Sequence, residues 1–247
     1  MMHPAALIVT HGQPSDPAPA EAELALLAAR VAGHLPGWQV GSATLAGPGA
    51  LAAAVAQLGP AGLVYPLFMA CGWFTRTHLP ARLAGAGGAG WHILPPFGCD
   101  AGVQALAVTI VQESAAARGL APADTSVLLA AHGSFRSPAP AQIADAVAAR
   151  IAAAGFGRAE AAFIDQSPQI AGAVGFGAAS LCLPFFAAGG AHVSDDIPQA
   201  LAACGFGGHL LPPVGRDSRV PGLIARALQD RQENPALACA GTVCAAG

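Results

Sequence analysis

Two histidines close short apolar runs and are followed at once by glycine: His11 in ALIVTHG and His132 in SVLLAAHG. A third, His192, stands in GGAHVSDDIP with Asp195 and Asp196 behind it, and Asp165 ends another apolar run, AEAAFID. Imidazole is a ligand for borderline divalent metals and a base near neutral pH. Two neutral imidazoles and a carboxylate converging on one place could hold Fe²⁺, Co²⁺, Ni²⁺ or Zn²⁺, or could equally move protons. An isolated histidine at a strand end is more simply a structural group bonded to a loop carbonyl. Here the position recurs, and recurrence points to a site. His92 and His209 open later runs, at the opposite edge, and read as structural.

The recurrence has a cause, because the chain is written twice. HGQPSDPAPA from His11 aligns with HGSFRSPAPA from His132 at an offset of 121 residues. PLFMACGWFTRTHLP from Pro66 aligns with PFFAAGGAHVSDDIP from Pro184 at 118, and HILPPFGCD from His92 with HLLPPVGRD from His209 at 117. Three ordered blocks at nearly constant offset identify a tandem duplication. The copies differ where chemistry is at stake. Phe74 stands in place of His192, His78 in place of Asp196, and Ala46 or Gly47 opposite Asp165. The second copy therefore offers two histidines and carboxylates; the first offers one histidine and an aromatic wall.

These residues need elements to position them. Each copy alternates short apolar runs with Ala/Leu-rich amphipathic stretches. The runs lie at 6–10, 40–46, 62–68 and 92–96, then at 126–131, 159–165, 180–186 and 209–213. Helical patterns are clearest at 20–33, 48–58, 100–117, 138–154 and 218–230. Such alternation predicts an α/β fold of two similar flavodoxin- or Rossmann-like lobes, each a parallel sheet flanked by helices. Ligands of such sheets sit at the carboxyl ends of the strands, where His11 and His132 fall. The expected division is an N-terminal lobe over 1–120, a C-terminal lobe over 121–231 carrying the histidine pair, and a tail over 232–247 with Cys239 and Cys244. The other four cysteines are scattered singly and read as buried free thiols.

Composition removes several alternatives. All eleven basic residues are arginine, so no P-loop or Schiff-base lysine exists, and a net charge of −3 argues against a nucleic-acid partner. The longest uncharged window, Gly172 to Ala191, is broken by glycines and Pro184 and reads as a buried strand rather than a membrane span. The start, MMHPAALIVTHG, lacks a basic region and does not read as a signal peptide, so a soluble cytoplasmic protein without membrane contact is expected.

His132-Gly133-Ser134, followed by Gly190-Ala191-His192 through Asp196-Ile197-Pro198 in a duplicated α/β frame, resembles the sirohydrochlorin chelatases of the CbiX/SirB type, class II chelatases, in their long two-half form. The resemblance implies ATP-independent insertion of Co²⁺ or Fe²⁺ into sirohydrochlorin or a related tetrapyrrole, on the way to cobalamin or sirohaem. The partners are then the tetrapyrrole and the divalent metal, the metal is a substrate, and no organic cofactor is implied. His132 and His192 become the metal-binding and proton-accepting residues, Asp165 the acidic residue after strand two, and Asp196 a further metal contact. Ser134, Arg136, His11, Phe74 and Arg76 become substrate contacts, with the two arginines facing the macrocycle's carboxylates. In long members the histidine pair is expected in the first copy; here Phe74 moves it to the second. The alternative is a non-catalytic tetrapyrrole or metal carrier that keeps the site without turnover.

Overall fold

The computed structural model of the protein describes residues 3–235. Its first strand, β1 (Ala5–Thr10), is AALIVT, and five of its six residues are buried. An apolar run buried on both faces belongs at the centre of a parallel sheet. The chain continues through α1 (Pro17–Ala32), β2 (Gln39–Thr44), α2 (Ala50–Leu58), β3 (Ala61–Pro66), α3 (Leu79–Gly85) and β4 (Gly90–Ile93). All strands are parallel, in the order β2-β1-β3-β4. The register alternates as the pleat requires. Ala5, Leu7 and Val9 face a core shared with Leu51, Ala54 and Val55 of α2 and with Leu79 and Leu83 of α3.

The second sheet repeats the plan. After α4 (Ala101–Ala116) come β5 (Ser126–Ala131), α5 (Ala139–Ala153), β6 (Arg158–Phe163), β7 (Ser180–Pro184), α6 (Ile197–Ala203), β8 (His209–Leu210) and α7 (Val220–Glu233). The order β6-β5-β7-β8 is the same, again wholly parallel. One element is not repeated. Where the first sheet has α2, the second has an irregular segment with a short 3₁₀ turn at Ile170–Gly172. Ile170, Ala173 and Phe176 from that segment fill the core beside Ile197 and Leu201 of α6.

The fold class read from the sequence is the one observed, and each of the eight strands overlaps one of the eight apolar runs, β4 starting two residues before its run. Helices α3 and α6 were not among the clear helical patterns; at seven residues each, they are too short to show a full amphipathic period. The uncharged window from Gly172 contains β7, and among the described residues no helix is long and apolar enough to cross a membrane.

The two compact units do not divide at 120/121. One runs to Asp100 and resumes at Ser218; the other runs from Ala101 to Asp217. Helix α4 follows the first sheet in sequence yet packs on α5 and β7, and α7 follows the second sheet yet packs on α1 and β3. Each copy thus gives its last helix to the other. Of the four cysteines expected as buried free thiols, Cys71, Cys182 and Cys204 are thiols, with only Cys182 fully buried, whereas Cys99 is disulfide-bonded. Cys239 and Cys244 lie outside the described residues.

Candidate metal centre

The site of the second unit is built at the carboxyl edge of its sheet, where β5 has β6 on one side and β7 on the other. Ligands of open α/β sheets collect at this switch in strand order. Hydrogen bonding carries the strands slightly past their ends. The N–H of Asp165 donates to the carbonyl of His132 at 2.9 Å, which seats the two side by side. The chain then turns sharply at Gly133, whose φ is +77°. A Cβ there would lie 2.6 Å from Cγ of Gln166, so both the backbone conformation and the space demand glycine. Gln166 Oε1 in turn accepts the Ser134 N–H at 2.7 Å and holds the turn closed.

His192 arrives from the other side, on a single π-helical turn, His192–Asp196, that leads into α6. Such turns are rare and recur at functional sites. The turn sets Asp196 beneath its own histidine, with Oδ2 2.6 Å from Nδ1. On His132, Nδ1 faces the Gly133 carbonyl at 3.2 Å and Asp165 Oδ2 at 3.3 Å. Each ring thus has acceptors at Nδ1, which places the proton there and leaves a lone pair on Nε2. The two Nε2 atoms face each other at 3.2 Å.

Two lone pairs at that distance repel unless a cation lies between or beside them. A proton can serve, and so can a metal ion. Two nitrogens each about 2.0–2.1 Å from one ion stand about 2.9–3.4 Å apart for bond angles between roughly 90° and 110°. The observed 3.2 Å falls inside that range. Both side chains are open, His132 at 40% and His192 at 48% exposure.

The residues expected at the site are distributed as follows. His132, His192, Asp165 and Asp196 come together. Asp196 sits behind His192, on the edge away from the paired nitrogens, rather than beside them as a third ligand. Among the described residues no group of three or more His, Cys, Asp or Glu side chains forms a metal cage. Ser134 Oγ accepts the N–H of Arg136 at 3.1 Å, and Arg136 is exposed on the same loop. His11, Phe74 and Arg76 belong to the other compact unit. There the geometry repeats without the chemistry. The N–H of Ala46 donates to the His11 carbonyl at 2.8 Å, so Ala46 is the counterpart of Asp165. A π-helical turn, Phe74–His78, matches His192–Asp196. The ring of Phe74 meets that of His11 edge-on at 4.5 Å and 71°, as His192 meets His132 at 4.6 Å and 88°. Phenyl has no lone pair, so this pair cannot chelate.

Sequence reading missed Gln166, Phe186, whose ring lies 6.5 Å from that of His192, and Arg216, whose guanidinium lies against Gly189. Arg216 had a signal: it replaces Cys99 within an otherwise well-kept repeat block, the kind of divergence that marks Phe74 and His192.

The family model for CbiX matches residues 126–231, the stretch carrying all four residues of this cluster. A solved structure of CbiX, the terminal enzyme for biosynthesis of siroheme in denitrifying bacteria, is 45% identical, with a TM-score of 0.84 over 92% of this chain and 98% of that one. SirB from Bacillus subtilis with Fe³⁺ shares the fold at 16% identity, with a TM-score of 0.72 over 95% of this chain and 97% of that one. The sirohydrochlorin chelatase SirB from Bacillus subtilis subspecies spizizenii in complex with cobalt does so at 16% identity, with a TM-score of 0.67 over the same 95% and 97%. No curated protein sequence matches the chain.

Proposed function

This chain belongs to the CbiX/SirB family of sirohydrochlorin chelatases, and from that we propose that it inserts a divalent metal into sirohydrochlorin, without ATP or an organic cofactor. The observation that carries the reading is the facing pair of Nε2 atoms of His132 and His192 at 3.2 Å. Insertion requires that an ion shed water and that two pyrrole N–H groups lose their protons. The paired nitrogens can do both. They hold the ion while the macrocycle approaches. As the ion passes to the ring nitrogens, each imidazole is free to accept one of the two protons at Nε2, and both protons then leave to water. Asp196 keeps the Nδ1 proton of His192 in place and compensates the charge of the imidazolium that forms; Asp165 does the same for His132. Arg136 on the adjoining loop offers a guanidinium to a substrate carboxylate.

The identity of the ion is a finer matter. The 45% identical relative, an enzyme of siroheme biosynthesis, supports Fe²⁺ as the physiological metal. Two imidazole donors accept Co²⁺ as well, since both ions suit the same ligands.

The test follows the change in tetrapyrrole absorption as metal enters, with Fe²⁺ and with Co²⁺. His132→Ala and His192→Ala should each slow insertion by about 10²-fold or more, whereas His11→Ala should leave the chemical step within a few-fold of wild type. Insertion by His192→Ala at the wild-type rate would refute the assignment. The carrier reading draws on Phe74 having removed one of the two possible chelating pairs; wild-type protein that binds sirohydrochlorin and metal but never joins them would establish it.

A further inference from the structure

A single hydrogen bond does not fix a ring. Asp196 holds His192 at Nδ1, and about that one atom the imidazole can still swing and carry Nε2 out of line with its partner on His132. Comparison of the two copies shows what limits the swing. In the first unit the equivalent ring, Phe74, is flanked by His11, Trp73, His78 and Phe68, with centroids 4.5, 5.1, 5.7 and 6.1 Å away. In the second unit Ala191 stands in place of Trp73 and Asp196 in place of His78. Those two walls are gone, and the His192 side chain is 48% exposed. One wall that is kept is His132 itself, the other half of the pair. The other is Phe186, in the place of Phe68, with its ring 6.5 Å from that of His192 and tilted by 37°. Phe68 and Phe74 lie in a similar relation, at 6.1 Å and 23°. Phe186 is also anchored more firmly than the ring it faces. The N–H of Phe185 donates to the carbonyl of Ala130 at 2.7 Å, and the carbonyl of Phe186 accepts the N–H of Gly215 at 2.9 Å. Its partly buried side chain packs on the core that holds Ile197 and Leu201 of α6.

We propose that Phe186 is a positioning residue for His192: it limits the swing of the imidazole and so keeps Nε2 aimed at that of His132. Asp196 selects which nitrogen carries the proton; Phe186 fixes where the other nitrogen points. Two side chains hold an ion better than one only if both nitrogens already stand at the right separation, because freedom left to a ligand must be given up on binding. A phenyl ring can serve in this way without entering the chemistry, since it offers no lone pair to the ion and no acidic proton to the imidazole. This inference rests on the chelatase reading for the use made of the histidine pair, and goes beyond it in naming the residue that keeps the pair aligned.

The experiment uses the full chain, with Co²⁺ affinity read from its visible absorption and turnover from insertion into sirohydrochlorin. Phe186→Leu keeps an apolar side chain on the core but removes the flat wall. It should weaken Co²⁺ binding and lower kcat by about 10-fold or more, the usual cost of losing a group that orients a metal ligand. KM for sirohydrochlorin should stay within about 3-fold of wild type, because the loss falls on the ion and not on the macrocycle. Phe186→Tyr, which keeps the ring, should restore Co²⁺ affinity and kcat to within about 3-fold. Phe176 provides the control, because it is buried in the same core. Phe176→Leu loosens that core in the same way and should leave Co²⁺ affinity and kcat within about 3-fold of wild type. Wild-type Co²⁺ affinity in Phe186→Leu, an equal loss in Phe176→Leu, or no recovery in Phe186→Tyr would each overturn the inference. If the wild-type chain binds Co²⁺ but never inserts it, the chelatase reading falls, while the Co²⁺ affinities of the three variants still decide the role of Phe186.

Discussion

At the residue scale, the chemistry depends on which nitrogen of each imidazole is presented. His192 Nδ1 is committed to Asp196 at 2.6 Å, so Nε2 is the atom left for the proposed chemistry. Asp196→Asn leaves a hydrogen-bonding group of the same shape but removes the charge, and a side-chain amide can offer its N–H where an acceptor is needed. We expect a 10- to 100-fold loss in Co²⁺ affinity and in insertion rate, the usual cost of losing a carboxylate behind a ligating histidine; Co²⁺ titration and the insertion assay measure both. Gly133 is the other sensitive position. Gly133→Ala must adopt φ near +77° and displace Gln166, so a loss of about 2 kcal/mol or more in stability is expected on denaturant melting. The histidines themselves were legible in the sequence because the duplication marked their positions. The role of Asp196 was not: a four-residue spacing says that it is near His192, not which edge of the ring it meets.

At the element scale, the loops that carry the site are fixed by close backbone contact. A Cβ on Gly215 would sit 1.9 Å from the carbonyl oxygen of Ala187, and one on Gly98 would sit 2.0 Å from that of Met69. The same approach in both copies locks the segment after the third strand of each sheet, the segment that delivers His192 in one and Phe74 in the other. Gly215→Ala is therefore expected to push the Ala187 loop outward and slow insertion by about 10-fold or more, as small misplacements of reacting groups do; normal turnover in this variant would contradict it. The strands themselves make an alkaline prediction. Burial in β7 pushes the Cys182 thiol from 9.0 up to about 12. Burial and the carboxylate of Asp100 raise the Tyr65 hydroxyl well above 10, and the two groups are 2.9 Å apart. Both keep their protons in the folded chain after the unfolded chain has begun to lose them. Their contribution to stability is full below about pH 9 and is lost as the pH climbs toward 12. Tyr65 is the single tyrosine, so tyrosinate absorbance should appear together with loss of circular dichroism and not before it.

At the scale of the whole molecule, the duplication and the compact units do not coincide. Val103, Leu106, Ala107, Val111 and Ala115 of α4 are buried, and α4 belongs with the second sheet although it precedes the second copy. A fragment over 101–217 should therefore fold cooperatively and bind Co²⁺ through the histidine pair. A fragment over 121–231, the second copy as the repeats define it, lacks α4, carries α7 without α1, and should aggregate or melt without cooperativity. Equal folding of the two fragments would show that α4 is dispensable to that unit.

Periodicity, repeats and residue type determined a great deal: an α/β chain of two parallel sheets, two equivalent positions at strand ends, and a second copy with two histidines where the first has one and a phenylalanine. These are properties of local pattern, and local pattern is what apolar alternation and aligned blocks record. Tertiary structure decided what depends on distance. It set the two Nε2 atoms 3.2 Å apart, turned Asp196 to the far edge of its histidine, and laid Arg216 against Gly189. It also sent α4 and α7 each to the other copy's sheet. The reason is physical: an amphipathic helix specifies that its apolar face must be buried, and only packing in three dimensions specifies against which sheet.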